Sequence, residues 1–376
     1  MMEIIFWVSL LLIIYTYLLY GVIIWVWSKF KRKKIDKVEC YIPNVSVVIS
    51  AFNEENIIHD RILNLLEVDY PKDKIEILIG SDNSSDNTDE IIKKFNQDNV
   101  HLFSFSIRRG KASVLNDLIP KAKGEIIIFS DANTFYRFNT VQELVQNFSM
   151  KNVGAVCGEL ILKPGLINTS GKEENIYWTY ENALKKMESM IKTIAGATGA
   201  VYAIRKNLFV SLPINKAVMD DFLIPLEVIK KGYAIKYNPL AIAYENSVDS
   251  IQKEFRRKVR IGAANFHGIK NFAELLHPRY GFVAFMLWSH KIIRWCVPFL
   301  LLICLCSSAI LSFCSDFFLN VLCVEITFLV LSILGFLAEK FNINIGNLRI
   351  PYYFLAMNAA LFIGFIKFLF KRQNAA

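Results

Sequence analysis

Three acidic side chains follow short apolar runs that are typical of buried strands, the position where α/β proteins place ligand-binding groups. They are Glu54, Asp82 and Asp131. Asn133, two residues after Asp131, adds an amide oxygen to this carboxylate. Oxygen ligands at this spacing can hold a hard cation, Mg²⁺ or Mn²⁺, and the diphosphate that it neutralises. The alternative is a strand followed by an Asx turn, in which Asp131 only caps the turn.

A second acidic pair, Asp220 and Asp221, precedes a helix predicted over 222–231 that ends at Gly232. Repulsion between adjacent carboxylates raises the pKa of one of them, which helps a group that must accept a proton from a hydroxyl. The alternative is that the pair only caps the first turn of the helix.

Basic and small residues complete the candidates. Arg108, Arg109 and Lys111 begin the helix after the third predicted strand and suit phosphates or a carboxylate, although a solvated turn explains the two arginines equally well. Gly199 and Ala200 are small enough for a sugar to approach the backbone.

A helix predicted over 175–193 carries Tyr177, Trp178, Tyr180 and Glu181 in one patch. The patch is a candidate acceptor surface. An amphipathic core helix is the alternative that its spacing favours.

Strands and helices alternate around these residues. The predicted strands are Val45–Ala51, Ile75–Gly80, Leu102–Ile107 and the run that begins at Gly124 and ends in Asp131; the intervening helices begin near Asn53, Asp86 and Ser113. This alternation predicts a doubly wound, mostly parallel α/β sheet. Its carboxyl edge brings the acids together, where they repel unless a cation or a donor-rich ligand lies among them. A uridine ring, a ribose and a metal-bound diphosphate would satisfy them.

The chain is too apolar for an ordinary soluble protein, because 54% of its 376 residues are hydrophobic, where roughly 45–50% is usual, and its mean hydropathy is +0.34. The excess lies at both ends. Residues 4–27 carry no charge and precede a basic cluster over 29–34, which predicts an uncleaved anchor with the following domain in the cytoplasm. The C-terminal part holds two or three further spans, Trp295–Cys314, Phe317–Ala338 and the shorter 351–366.

The net charge of +9 is concentrated beside these apolar segments, which indicates anionic membrane lipids as partners. No nucleic-acid-binding motif and no Cys-x-x-Cys pair is present in the sequence. Residues 252–294 combine basic and aromatic side chains, which is typical of helices that lie in a membrane interface. Glu325 falls inside a span, where a functional acid and a helix–helix contact are equally plausible.

The ordered set of motifs resembles glycosyltransferase family 2, whose members are inverting nucleotide-sugar transferases of GT-A fold. The resemblance covers about residues 44–295. It rests on Ala51-Phe52-Asn53-Glu54-Glu55, on Ser81 to Thr88 for D-D-x-S-x-D-x-T, on Lys111 to Asn116 for K-x-x-x-L-N, on Asp131-Ala132-Asn133 for D-x-D, on Gly199 to Arg205, and on Asp220-Asp221 with Gly232-Tyr233.

The resemblance implies a role for each matched position. Asp221 would be the general base with Asp220 beside it, and Asp131 and Asn133 would hold a divalent metal, Mg²⁺ or Mn²⁺. The nucleotide-sugar would be bound by Ala51, Asn53, Glu54, Asp82, Lys111, Asn116 and Asp131. Gly199, Ala200, Arg257 and Arg260 would meet the acceptor or the diphosphate.

Three departures from the family pattern are visible. Ser81 replaces the first acid of D-D-x-S, and Asn133 replaces the second acid of D-x-D, which predicts a lower metal affinity. Where processive members carry Q-x-x-R-W, Arg257 and Ile261 stand at the glutamine and tryptophan positions and only Arg260 matches.

The sequence therefore predicts an α/β chain: a GT-A nucleotide-diphospho-sugar transferase domain with transmembrane helices at both ends. The predicted boundaries are an anchor over 1–28, a basic linker over 29–43, the catalytic domain over 44–250, interfacial helices over 251–294, spans over 295–370 and a tail over 371–376. The predicted function is transfer from a nucleotide-sugar, most simply a UDP-sugar, to a growing polysaccharide or a lipid-linked acceptor at the cytoplasmic membrane face, with a partner export subunit as an option. The alternatives are single-sugar transfer to a lipid, and a degenerate subunit that only binds nucleotide.

Overall fold

Eight strands form one sheet in this computed structural model, and eleven helices of five or more residues surround or follow it among the described residues. The structure describes residues 1–31, 41–95, 97–163, 171–214, 219–246, 251–341, 343 and 349–370, without the side chains of 171–174 and 349. Most of the predicted basic linker, including Arg32, Lys33 and Lys34, and the predicted tail over 371–376 lie outside the described residues.

The strands are β1 (Val45–Ala51), β2 (Ile75–Asp82), β3 (Val100–Phe105), β4 (Ile126–Asp131), β5 (Phe135–Tyr136), β6 (Val153–Lys163), β7 (Tyr202–Arg205) and β8 (Ala234–Asn246). The helices are α1 (Met2–Lys29), α2 (Ile58–Leu66), α3 (Thr88–Lys93), α4 (Lys111–Leu118), α5 (Thr140–Gln146), α6 (Gly171–Ile191), α7 (Asp220–Lys230), α8 (Ile251–Phe272), α9 (Phe282–Leu311), α10 (Asp316–Lys340) and α11 (Arg349–Leu369).

The sheet order is β3-β2-β1-β4-β7-β6-β8-β5. Four of its seven strand pairs are parallel and three are antiparallel. The sheet is therefore mixed, with parallel pairs in the majority. The first half is the parallel, doubly wound part that the sequence predicts. Antiparallel β7 joins it to the second half, which periodicity alone did not reveal.

Both faces of the sheet are covered, which explains why its central strands read as continuous apolar runs. In β1, Val48 packs into the core on one face, whereas Val47 and Ile49 pack into the core on the other. Gly124 stands before β4 because a Cβ there would lie 2.5 Å from the backbone nitrogen of Ser46. The strand that ends in Asp131 is thereby held beside β1.

Two of the differences from the predicted boundaries affect the loops near the candidate site. Asn53 was predicted to cap a helix, but α2 begins only at Ile58, and Asn53 adopts a left-handed conformation with φ 55°. The third strand ends at Phe105, so that the residues up to Lys111 form a loop of their own. Asparagine tolerates the left-handed conformation seen at Asn53 better than most residues do, which allows a turn there where a helix was expected.

Four helices, α1, α9, α10 and α11, are long and apolar enough to cross a membrane. α9 begins at Phe282 and therefore includes residues that the sequence placed in an interfacial region. The helix α8 precedes it. Glu325 of α10 accepts a hydrogen bond from Ser308 of α9, which is the helix–helix contact that the sequence left open.

Candidate active site

Two loops at the carboxyl edge of the sheet are locked to one another. The amide of Glu54 donates to Thr88 Oγ1 at 2.8 Å, and the amide of Glu55 donates to Asp86 at 3.1 Å. The side-chain oxygen of Asn53 accepts from the amide of Ser85 at 2.8 Å. The two matched motifs thus bind each other through polar contacts, and the result is a fixed position for Glu54.

Asp82 anchors the loop after β3. Its two carboxylate oxygens accept from the amides of Arg109, at 2.9 Å, and Gly110, at 2.7 Å. The side chain is almost fully buried, with the residue 3% exposed. Gly110 has φ 85°, a conformation that favours glycine, and it directly precedes α4. Asp82 lines the cavity, but its two hydrogen bonds fix the backbone that leads to Lys111.

Lys111 joins the two acidic groups of the site. Its ammonium lies 2.7 Å from Asp131 Oδ1 and 3.2 Å from Asp220 Oδ2. Burial lowers the pKa of Lys111, but attraction to these two carboxylates outweighs burial and raises it. The lysine therefore stays charged and holds β4 and α7 together.

Asp131 lies among other acids that the sequence did not all identify. Burial raises the pKa of Glu54 and of Glu245, and repulsion from Asp131 raises both further. Glu245, at the end of β8, accepts a hydrogen bond from Thr134. This crowd of carboxylates favours a bound cation at Asp131.

The donor set fits a metal that takes further ligands from its substrate. Asn133 lines the same cavity as Asp131. No three histidine, cysteine, aspartate or glutamate side chains are grouped to hold a metal by themselves within the described ranges. Mg²⁺ and Mn²⁺ sites that act on nucleotides commonly use one or two protein oxygens together with phosphate oxygens and water, and Asp131 and Asn133 match that need.

Asp221 has the properties of a proton acceptor. Its Oδ2 accepts from the amide of Gly199 at 3.2 Å. Burial, and then repulsion from Asp220, raise the pKa of Asp221 to about 6. Asp220 is occupied differently, by Lys111 and by the hydroxyl of Tyr202 at 3.2 Å. The two acids of the pair are thereby distinguished by their contacts.

One cavity of ≈ 1120 Å³ brings most predicted residues together. It is lined by these members of the predicted set: Glu54, Asp82, Lys111, Asp131, Asn133, Gly199, Ala200, Asp220, Asp221, Arg257 and Arg260. Its wall also contains Arg108, whose guanidinium lies 3.8 Å from the ring centre of Phe52. The cavity extends from the strand ends to side chains of α1, α9 and α11.

Three predicted ligands of the nucleotide-sugar do not line this cavity: Ala51, Asn53 and Asn116. Ala51 is buried in the core. Asn53 binds Ser85, and Asn116 binds the backbone of Leu212 through both ends of its amide, at 2.8 Å each. In the structure their contacts are with the core and the neighbouring loops, so that their direct contact with the nucleotide-sugar stays a prediction.

Two residues that sequence reasoning missed support the candidate residues Asp221 and Asp131. Lys185 of α6 donates to Thr198 Oγ1 at 2.6 Å, next to the Gly199 amide that binds Asp221. It follows Glu181 by four residues and so shares its helix face, a signal that the sequence does contain. Arg61 is fully buried and donates to Ser130 at 2.8 Å, beside Asp131, but nothing local in the sequence marks it.

Comparisons with known proteins identify similar sequences. Residues 46–211 match the family model "Glycosyl transferase family 2". The chain is 27% identical over 227 residues to a poly-beta-1,6-N-acetyl-D-glucosamine synthase of Staphylococcus aureus, covering 58% of this chain and 54% of that protein. It is 27% identical over 244 residues to the probable glycosyltransferase YdaM of Bacillus subtilis, covering 61% and 57%. The chain thus spans little more than half the length of these relatives.

A solved structure shares the fold over nearly the whole chain. The mannosyltransferase PcManGT from Pyrobaculum calidifontis, in complex with GDP-Man and Mn²⁺, superposes with a TM-score of 0.77 at 20% identity, covering 99% of this chain and 100% of that chain. The fold, the matched family model and the clustered motif residues agree with one another. Residues 46–211 are therefore identified as a glycosyltransferase domain of family 2.

Proposed function

We propose that this protein transfers a sugar from a nucleotide-diphospho-sugar to a growing polysaccharide or a lipid-linked acceptor, with inversion, at the cytoplasmic face of a membrane. The observation that carries the proposal is that one cavity contains both Asp131 and Asp221. Lys111 connects them, because its ammonium pairs with Asp131 and with Asp220, the neighbour of Asp221. A donor at Asp131 and an acceptor at Asp221 would meet within it.

The donor end would be acidic at the metal and basic at its margin. Asp131 and Asn133 would hold Mg²⁺ or Mn²⁺, which supplies charge neutralisation for the diphosphate as it leaves. Arg108 over Phe52 offers a flat surface for a nucleobase. A uridine nucleotide is the first donor to test, and a guanosine nucleotide the second, because the PcManGT structure contains GDP-Man.

The acceptor end supplies the base. Asp221 would take the proton of the acceptor hydroxyl as its oxygen bonds to the anomeric carbon, and the nucleoside diphosphate would leave with the electron pair of the broken bond. A pKa of about 6 keeps most of Asp221 ionised at neutral pH while leaving it more basic than an ordinary aspartate. The Gly199 amide holds one oxygen, which orients the carboxylate.

Single-sugar transfer to a lipid is a second candidate, and one observation favours it. The cavity wall is completed by Tyr17 of α1, Arg294 of α9 and Phe354 of α11, all in helices able to cross a membrane. An acceptor with a lipid tail could therefore enter from the side. A polymer that leaves through the membrane would instead need a path along the same helices, with an export partner if they do not provide one.

Two aspartate variants of the full chain test the proposal. We expect Asp221→Asn to lower turnover about 10²- to 10⁴-fold with little change in donor affinity, because Asp221 is assigned to the acceptor alone. Asp131→Asn should instead weaken metal-dependent donor binding. The measurements are release of nucleoside diphosphate from a UDP- and GDP-sugar panel and donor affinity by titration.

Near-normal turnover in Asp221→Asn would place the base elsewhere, with Asp220 the next residue to test. Donor binding without any transfer in the wild-type chain, across the donor panel and both acceptor classes, would favour the nucleotide-binding subunit. Product length on a gel separates polymer synthesis from single-sugar transfer.

A further inference from the structure

The far end of the cavity is basic, in contrast to the strand-end half. Four cations line it around one acid: Lys185, Lys258, Lys291 and Arg294 surround Glu181. We call these five residues the basic pocket. Lys258 lies 4.4 Å from the ring centre of Tyr177, and it also faces Glu254 at 3.7 Å.

Internal pairs do not neutralise the basic pocket. Glu181 accepts from Arg294 and His290 and lies 3.9 Å from Lys291, so one carboxylate serves several donors. Two other buried acids lie nearby, and neither lines the cavity: Glu188 is bound by His290 and by Tyr20, and Glu254 is shared by Lys258 and Arg257. Lys185 donates to a neutral hydroxyl. An excess of positive charge therefore remains, and buried positive charge favours an anionic ligand.

Two donors of the wall are also left without acceptors. Arg294 Nε and Trp178 Nε1 are buried and make no hydrogen bond with the residues that the structure describes. Both residues line the cavity, and Arg294 is only 8% exposed. Buried donors normally find a partner, and a phosphate offers several acceptor oxygens.

The wall of the cavity that holds the basic pocket includes residues of the membrane-type helices. Ile350, Phe354, Met357 and Leu361 of α11 continue the cavity wall, and the ring of Phe354 lies 5.6 Å from that of Tyr17 in α1. Cations beside an apolar wall between spanning helices match a lipid with an anionic head group. A neutral polysaccharide would leave these cations without counter-charge.

We propose that the basic pocket binds the phosphate or diphosphate of a lipid-linked acceptor, whose hydrocarbon chain passes along α11. This deepens and rests on the proposed function: the sugar carried by that phosphate would present its hydroxyl to Asp221. The path is short, because Lys185 binds Thr198 and the next amide, of Gly199, binds Asp221.

The test measures lipid binding without turnover. The full chain, in nanodiscs of phosphatidylcholine, is titrated with a radiolabelled polyprenyl diphosphate, with unphosphorylated polyprenol and inorganic pyrophosphate as competitors. We expect the label to bind and to resist both competitors. Lys291→Gln should weaken binding about tenfold, the loss typical of one charge-assisted hydrogen bond, and Lys291→Arg should restore it. Lys29→Gln, which removes an exposed charge at the end of α1, should change nothing.

Each other outcome overturns the proposal. Equal competition by polyprenol would show an apolar site alone, and equal competition by pyrophosphate would show a site for a free anion. Unchanged binding in Lys291→Gln would exclude the basic pocket. The wild-type competition stands even if a variant fails to fold, which a loss of donor binding would reveal. Lipid binding without sugar transfer would refute the proposed function and leave the pocket, whereas transfer to neutral acceptors alone would refute the pocket and leave the function.

Discussion

Among single residues, Asp221 and Lys111 would set the pH range of catalysis under the proposed function. Asp221 can accept a proton only as a carboxylate, and its pKa of about 6 means that this form is present above pH 6 and is lost below it. We therefore expect kcat to rise with pH through about 6 and then to level. Attraction to Lys111 lowers the pKa of Asp221, so Lys111→Met should move the acid limb to higher pH.

The measurement is a pH–rate profile for kcat with saturating donor and acceptor. Lys121→Met, which changes an exposed lysine outside the cavity, is the matched control and should keep the wild-type profile. An acid limb that persists unchanged in Asp221→Asn would assign it to another group.

The site residues that could be predicted are those that a short sequence pattern marks. Asp131 and Asp221 follow from strand ends and an acid pair that stand together in the sequence. Glu245 and Arg61 reach the same centre through the packing of distant elements, and no spacing marks them. Asn116 shows the opposite case, since a motif position identifies it but its contacts are structural.

At the level of elements, the loop between β3 and α4 depends on Asp82. Asp82→Asn replaces one carboxylate oxygen with a donor that faces a backbone amide, which costs about 1–3 kcal/mol in a buried site. We expect the loop that carries Lys111 to loosen, and the affinities for UDP- and GDP-sugars to fall by a similar factor. Donor titration of the two nucleotides measures this. A change in the preference between the two nucleotides would instead mean that Asp82 contacts the base.

Asp117→Asn is the matched control for this loop. Asp117 pairs with Arg109 at 2.6 Å, but both side chains are more than a third exposed, at 39% and 38%. Exposed pairs contribute little, so donor affinity should stay within about twofold of the wild-type value.

The parallel half of the sheet was predicted well because buried parallel strands are continuous apolar runs with clear ends. The second half was not, because β6, β7 and β8 pair over long separations in the chain, as in the register of Val153 with Ala234. The helix start predicted at Asn53 was wrong, because Asn53 adopts a left-handed conformation in a turn. A capping residue and a turn residue are of the same types in a sequence.

For the whole molecule, the four apolar helices were predictable from length and composition, whereas their meeting around one cavity was not. α1 lies at the opposite end of the chain from α11, yet both contribute to the cavity wall through Tyr17 and Phe354. The donor site and the membrane helices therefore form one functional unit in our proposal.

The orientation of that unit gives the last prediction. The basic residues after α1 favour the cytoplasm, and this orientation would place the sheet inside and the turn between α9 and α10 outside. Cys314 lies exposed in that turn, and Asp73 lies exposed before β2. In a chain without other cysteines, a membrane-impermeant maleimide applied to intact cells should label Cys314 but not an Asp73→Cys variant, and it should label both after lysis. Labelling of the Asp73→Cys variant in intact cells, with Cys314 protected, would reverse the orientation and move nucleotide-sugar use to the outer face, where the donor would have to be supplied from outside the cell.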